Sequence, residues 1–365
     1  MNAKLISLIP ILIMFSGLSA AVVGGVSDGA EPMVITDGTG WSFEYTEPAE
    51  RIVTMGYAST LTVAVMGEID KIIAVDMYST YEYTKDERLK DLKAKDMGSI
   101  YTASNNDKIT TQFLQWVENG EMSLHDTIIL TTYSNANVLR GQLNNIGFDR
   151  VLVYLSVTTY DQIIDFVESI SVIATGGTSK VAEDMKLVRS TVDERLEGVT
   201  EKAKGLGVWY TSSTGEFSVG NRGSITVSLI EAAGGINVAY NSSVSSTTYG
   251  NASTIIQLVE ANPDLVIFLP ANYIRENSVS DFRNDILGGD SGITLVPVNA
   301  NWNNYDPDAA DGLWAFACAM YPDLFEGPAP RTDEPSSSNP LMYAAVGVAF
   351  VVVILAVTYF MIMRP

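Results

Sequence analysis

The sequence predicts an α/β protein made of two Rossmann-like lobes bridged by one long α-helix, with a transmembrane helix near its C-terminal end. Three observations carry this reading. Short β-branched runs alternate with helical patterns, as they do in βα units wound around a parallel sheet. One amphipathic pattern continues from residue 179 to 204, in the middle of the chain. Residues 341–363 contain no charged side chain, and at about 1.5 Å per helical residue such a run crosses the hydrocarbon core of a bilayer.

In chain order, residues 1–21 combine Lys4, an apolar stretch from Leu5 to Phe15 and small residues at Ser19 and Ala21, the pattern of a Sec-type signal peptide. The N-terminal lobe is expected over 33–175, with strands at 51–55, 71–75, 127–131 and 150–154. The interlobe helix, 176–204, begins after Gly176-Gly177-Thr178 and stops at Gly205, with Val181, Met185, Val188, Val192, Leu196 and Val199 on one stripe. The C-terminal lobe, 205–326, holds strands at 207–210, 236–238, 265–269 and 294–298. A Pro/Ser-rich stalk at 327–340 leads to the anchor at 341–363. Export of the N-terminus followed by a stop-transfer helix gives a single-pass protein of the cell membrane, its body extracytoplasmic and Arg364 inside. The lobes also echo each other: the helix ending and strand at 115–119 and 126–131 resemble those at 257–262 and 264–269.

Composition excludes several functions. Lys and Arg number 22 against 43 Asp and Glu, a net charge of −21 that argues against nucleic acid, whose phosphates need a basic patch. A single cysteine, Cys318, rules out an intrachain disulfide, a multi-Cys zinc site and an iron–sulfur cluster. One histidine, His125, rules out multi-histidine metal sites, and its place just before a strand marks it as a turn residue. No GxSxG, P-loop, HExxH or GxGxxG stands at a strand–helix junction, so no enzyme is expected and no catalytic residue, cofactor or metal ligand is assigned.

Five segments resemble one family. Glu50-Arg51-Ile52-Val53-Thr54-Met55-Gly56-Tyr57-Ala58-Ser59-Thr60 is similar to its opening strand and loop, and the run from Met66 to Asp76 to the strand that follows. Ile35-Thr36-Asp37-Gly38-Thr39-Gly40 with Phe43 resembles its leading hairpin, and Asn262-Pro263-Asp264-Leu265-Val266-Ile267 its "KPDLVI" turn. The run from Glu231 to Val238 resembles its "LELAGGENVA". The family is the iron-siderophore/cobalamin type (class III, helical-backbone) of ABC-transporter substrate-binding proteins. The resemblance covers residues 33–325 and implies two lobes on one rigid helix. It also implies a metal-chelate or corrinoid ligand, and an ABC permease and ATPase as partners. A C-terminal helix in place of a lipidated cysteine points to an archaeal source. The alternative is a cell-surface adhesion or envelope protein that reuses the fold.

In α/β lobes, ligands collect at the carboxyl ends of the strands. Those loops supply the candidate ligand-binding residues: Tyr57, Ser59, Tyr78, Tyr101 and Tyr133 from the first lobe, and Tyr210, Arg222 and Trp302 from the second. Each tyrosine pairs an apolar ring with a polar tip, which suits a large flat or chelated ligand. Arg222, in a Gly-flanked loop opening a helix, can fork onto a carboxylate or phosphate, or else pair with a neighbouring acid.

Overall fold

Strands β1 (Met33–Thr36) and β2 (Ser42–Tyr45) form an antiparallel hairpin that leads into two parallel sheets. The computed structural model describes residues 32–100, 103–131, 135–155, 157–220, 223–241, 252–289 and 292–332. The expected signal peptide and membrane anchor lie outside those residues. Among the described residues, no helix is long and apolar enough to cross a membrane.

The first sheet contains β3 (Ile52–Met55), β4 (Ile72–Val75), β5 (Lys95–Asp96), β6 (Thr127–Thr131) and β7 (Val151–Tyr154), ordered β5-β4-β3-β6-β7 and parallel throughout. Helices α1 (Tyr57–Val65), α2 (Tyr81–Thr84), α3 (Ala103–Glu118), α4 (Ala136–Asn145) and α5 (Tyr160–Thr175) connect or flank these strands. After α6 (Lys180–Arg195), the second sheet takes β8 (Lys204–Thr211), β9 (Glu216–Val219), β10 (Ile236–Asn237), β11 (Val266–Leu269) and β12 (Thr294–Pro297). Its parallel order is β10-β8-β11-β12, with β9 folded back antiparallel on β8. Helices α7 (Ile225–Ala232), α8 (Ala252–Ala261), α9 (Ala271–Glu276), α10 (Val279–Asp281) and α11 (Ala309–Met320) complete it.

Every residue of β3, β7 and β11 is buried, as strands covered on both faces require, and this is why they read as unbroken apolar runs. The sequence echo has a counterpart in topology. Helix α3 feeds β6 beside β3, and α8 feeds β11 beside β8, so β4-β3-β6-β7 and β10-β8-β11-β12 follow one pattern. The eight strands expected from sequence all form, within a few residues of their expected ends; β5 and β9 were not foreseen.

The long helix is corrected. Ser179 caps α6 by accepting from the Ala182 amide at 3.3 Å, but the helix ends at Arg195, not 204. Gly198 turns the chain with φ of 84° and Lys204 already begins β8. The apolar period ran on because Leu196, in the turn, packs against Gly234, where an added Cβ would lie 2.5 Å from its Cδ1. Helix α6 is tied to both sides of the chain. The Tyr160 hydroxyl of α5 donates to the Met185 carbonyl at 3.1 Å. Arg189 donates to Asp161 of α5 at 3.1 Å and to the Ala232 carbonyl of α7 at 2.8 Å. One continuous apolar core runs from Ile35 and Tyr45 through Ile163, Met185 and Leu229 to Phe268 and Trp314.

The start of the expected stalk also moves. Trp314 Nε1 donates to the Gly327 carbonyl at 2.9 Å, and the Thr332 amide and hydroxyl donate to Asp184 at 2.7 and 2.8 Å. Residues 327–332 therefore close over α6 and α11 as part of the folded body.

Candidate functional site

At the carboxyl end of the first sheet the chain turns at Gly56, whose φ is 118°. A Cβ there would lie 2.1 Å from Thr131 Oγ1, so only glycine lets the β3 end sit against β6. The Gly56 amide donates to Asp76 Oδ2 at 2.7 Å. Asp76 leaves β4 fully buried and also receives the Tyr78 amide at 2.9 Å and the Ser79 hydroxyl at 2.6 Å. Burial raises its pKa, while these donors pull it back. Thr131 Oγ1 donates to the Met55 carbonyl at 2.9 Å, tying β6 to β3.

The expected first-lobe residues fall unevenly on this end. Ser59 is fully buried in the first turn of α1, and its hydroxyl donates to the Gly56 carbonyl at 2.8 Å. A helix start that dives under the loop hides its third residue, which spacing alone does not reveal. Tyr57 is half-buried and donates its hydroxyl to Asp86 Oδ2 at 2.5 Å. Burial and then Asp86 push its pKa well up, so it stays a donor. Tyr78 bonds Ser99 Oγ at 3.2 Å and sets its ring edge-on to Tyr83, centroids 5.0 Å apart. Tyr101 and Tyr133 lie outside the described residues.

The second sheet ends differently. Val208, Trp209 and Tyr210 of β8, Phe268 of β11, Pro270 just after it, Asn272 of α9, and Val298, Asn299 and Ala300 after β12 line a crevice of about 220 Å³ with Thr226 of α7. Among the described residues that line it there is no carboxylate, amine or guanidinium. Gly207 lets α7 close on β8: an added Cβ would lie 2.8 Å from Thr226 Cγ2. Asn272 Nδ2 donates to the Tyr210 carbonyl at 2.7 Å, and Asn299 Oδ1 accepts from the Asn301 amide at 3.1 Å, which fixes both amide groups. Tyr210 lines the crevice as expected, its ring 5.0 Å from both Phe217 and Tyr273. Trp302 is partly buried and turns toward α11, where a Cβ on Gly312 would lie 2.9 Å from Trp302 Cβ. Arg222 lies outside the described residues. Trp209, 40% exposed on the rim, was not foreseen. A large aromatic one residue before a tyrosine, where β8 runs out of its sheet, was the available signal.

A side-chain bridge joins the two carboxyl ends. Arg88, after α2, donates to Asp86 at 2.7 Å and, from both terminal nitrogens, to Asp308 before α11 at 2.7 and 2.8 Å. Burial alone would push the Asp86 carboxyl up, but the bonds from Arg88 and Tyr57 outweigh it and hold it at about 2. Beside it Asp306 is fully buried; its Oδ1 accepts from the Asp308 amide at 3.0 Å, and its Oδ2 has no partner. Burial first, then Asp308, raise its pKa well above the ordinary carboxylate value. His125 is an exposed turn residue bonded to Asp149 at 2.7 Å. Among the described residues no cluster of three or more His, Cys, Asp or Glu side chains is arranged to hold a metal ion.

No family model matches the sequence, and no curated protein is similar to it. Solved structures do share the fold. The periplasmic heme-binding protein RhuT from Roseiflexus sp. RS-1 superposes with a TM-score of 0.53 at 16% identity, over 74% of this chain and 99% of its own. CeuE of Helicobacter pylori with Ni(II) bound gives 0.55 at 14% identity, over 80% of this chain and 90% of its own. An ABC-type Fe3+-hydroxamate transport system protein from Saccharomonospora viridis gives 0.52 at 17%, over 80% and 99%. At these identities the likeness establishes the fold of the periplasmic binding proteins, and nothing of their ligands.

Proposed function

We propose that the chain is the extracytoplasmic substrate-binding component of an ABC importer and captures a metal chelate such as a ferric siderophore, heme or corrinoid. The observation that carries the reading is the crevice of mixed aromatic, aliphatic and amide lining at the carboxyl ends of β8, β11 and β12, the place where α/β sheets of this kind take ligands. Its uncharged lining suits the flat apolar face of a chelate, with Asn272 and Asn299 as orienting amides and Trp209 as a lid-like ring. The structural neighbours include a heme-binding protein, an Fe3+-hydroxamate transport protein and a protein with Ni(II) bound, which supports a metal-chelate class. Nothing in the described site favours corrinoid over the others.

In this account the two sheets are lobes, and α6 with its bonds to α5 and α7 is the stiff link between them. The shared core limits closure, so release requires the permease to pull the lobes apart. The signal peptide, the anchor at 341–363 and the extracytoplasmic body belong to the same proposal, with a single-pass membrane location. Because 327–332 are folded, any soluble form should end after Thr332 rather than at 326. Titration calorimetry of the full chain against ferric hydroxamate, heme, cobalamin and Ni(II)–histidine tests the reading. At least one should bind at one equivalent with micromolar or tighter affinity; no saturable binding across this panel rejects it.

A further inference from the structure

The Arg88 bridge joins residues 220 positions apart in sequence and links the loops at the carboxyl ends of the two sheets. Its geometry is that of a built contact. The guanidinium engages Asp308 with two nitrogens and Asp86 with its Nε and Nη2, so all three of its nitrogens donate to carboxylates. Asp86 in turn receives the Tyr57 hydroxyl, and Tyr57 opens α1 directly after the Gly56 turn. Asp308 stands at the cap of α11, the helix that packs on α6 and α7. One side chain thus ties a sheet-end loop of the first half to the helix that anchors the second.

We propose that Arg88 is a positioning residue, a clasp that fixes the spacing of the two sheet ends and, through Asp86, the orientation of Tyr57 at their junction. The inference rests on the binding-protein reading for its use: a clasp between the two sheet ends sets how far apart they stand, and a permease that separates the lobes must break it. An exposed ion pair contributes little by itself. This one differs because both carboxylates are largely covered, at 13% and 18% exposure, and both are gripped by one fork.

Hydrogen exchange of the full chain in detergent, read by mass spectrometry with no ligand added, tests the clasp. Arg88→Met should speed exchange at 306–311, and Asp308→Asn should speed it at 86–90, each by about tenfold. The double variant should exchange no faster than the single ones, because both changes break one contact. Unchanged exchange at β3 and β11 in the same samples reports that each variant is folded. Wild-type exchange at 306–311 in Arg88→Met, or additive effects in the double variant, overturns the proposal. Since no ligand enters this measurement, its failure is distinct from failure of the ligand panel.

Discussion

The two sheets share one strand order and end in opposite chemistry. In the first, the carboxyl ends are consumed internally: Asp76 takes three donors from the loops, Thr131 bonds the β3 carbonyl and Ser59 bonds Gly56. In the second, the same ends leave a crevice with two oriented amides and an exposed tryptophan. Duplicating a βα framework therefore does not duplicate a site. The first end acts as a braced wall, the second offers free surface, and the difference lies in loop residues and not in strands.

The comparison can be broken at each end. Gly56→Ala should have the largest effect, because a Cβ would collide with Thr131 at a positive φ that alanine adopts only under strain. A loss of at least about 3 kcal/mol is expected in a denaturant titration. Asp76→Asn leaves one carbonyl oxygen where three donors converge and should cost about 2–3 kcal/mol by the same assay. Native-like stability in either variant would mean the first end is not braced as described.

On the second end the expected pattern is reversed. Trp209→Ala removes an exposed ring, so stability should stay within about 0.5 kcal/mol of wild type. Affinity for whichever chelate binds should fall about tenfold, near 1.4 kcal/mol. A loss of stability without loss of affinity would make Trp209 a packing residue.

The smallest effect concerns the junction. Asp306 has a folded pKa raised above its unfolded value, so wild-type stability is lowered at pH above the folded value and recovers as pH falls toward the ordinary carboxylate range. Asp306→Asn should therefore stabilise the protein at neutral pH, with the gain shrinking as pH falls toward the ordinary carboxylate range. Thermal melts across that range check it; a gain that persists in acid would remove the titration of Asp306 from the explanation.

How much of this was legible in the sequence follows from range. The buried strands were readable because covering both faces demands consecutive apolar residues, as in Ile128-Ile129-Leu130 and Val266-Ile267-Phe268-Leu269. Strand β9 was not, since Glu216-Phe217-Ser218-Val219 is short and gains its identity only by pairing with β8. The end of α6 was misread because Leu196 keeps the helical period while packing on Gly234. Of the candidate residues, Tyr210 lies at the crevice its strand end leads to, whereas Ser59 and Trp302 are packed within α1 and against α11 in a way that spacing does not encode. Arg88 and Asp308 could not be paired in advance, because nothing local links residues so far apart.

The most direct test of the central claim is the hydrogen-exchange footprint of the full chain with and without a saturating chelate from the panel. The account predicts added protection at 208–210, 270–272 and 298–300. It predicts none in the separate groove formed by Asp37, Tyr154, Gln162 and Asp165. Protection confined to that groove, or to neither region, would contradict it.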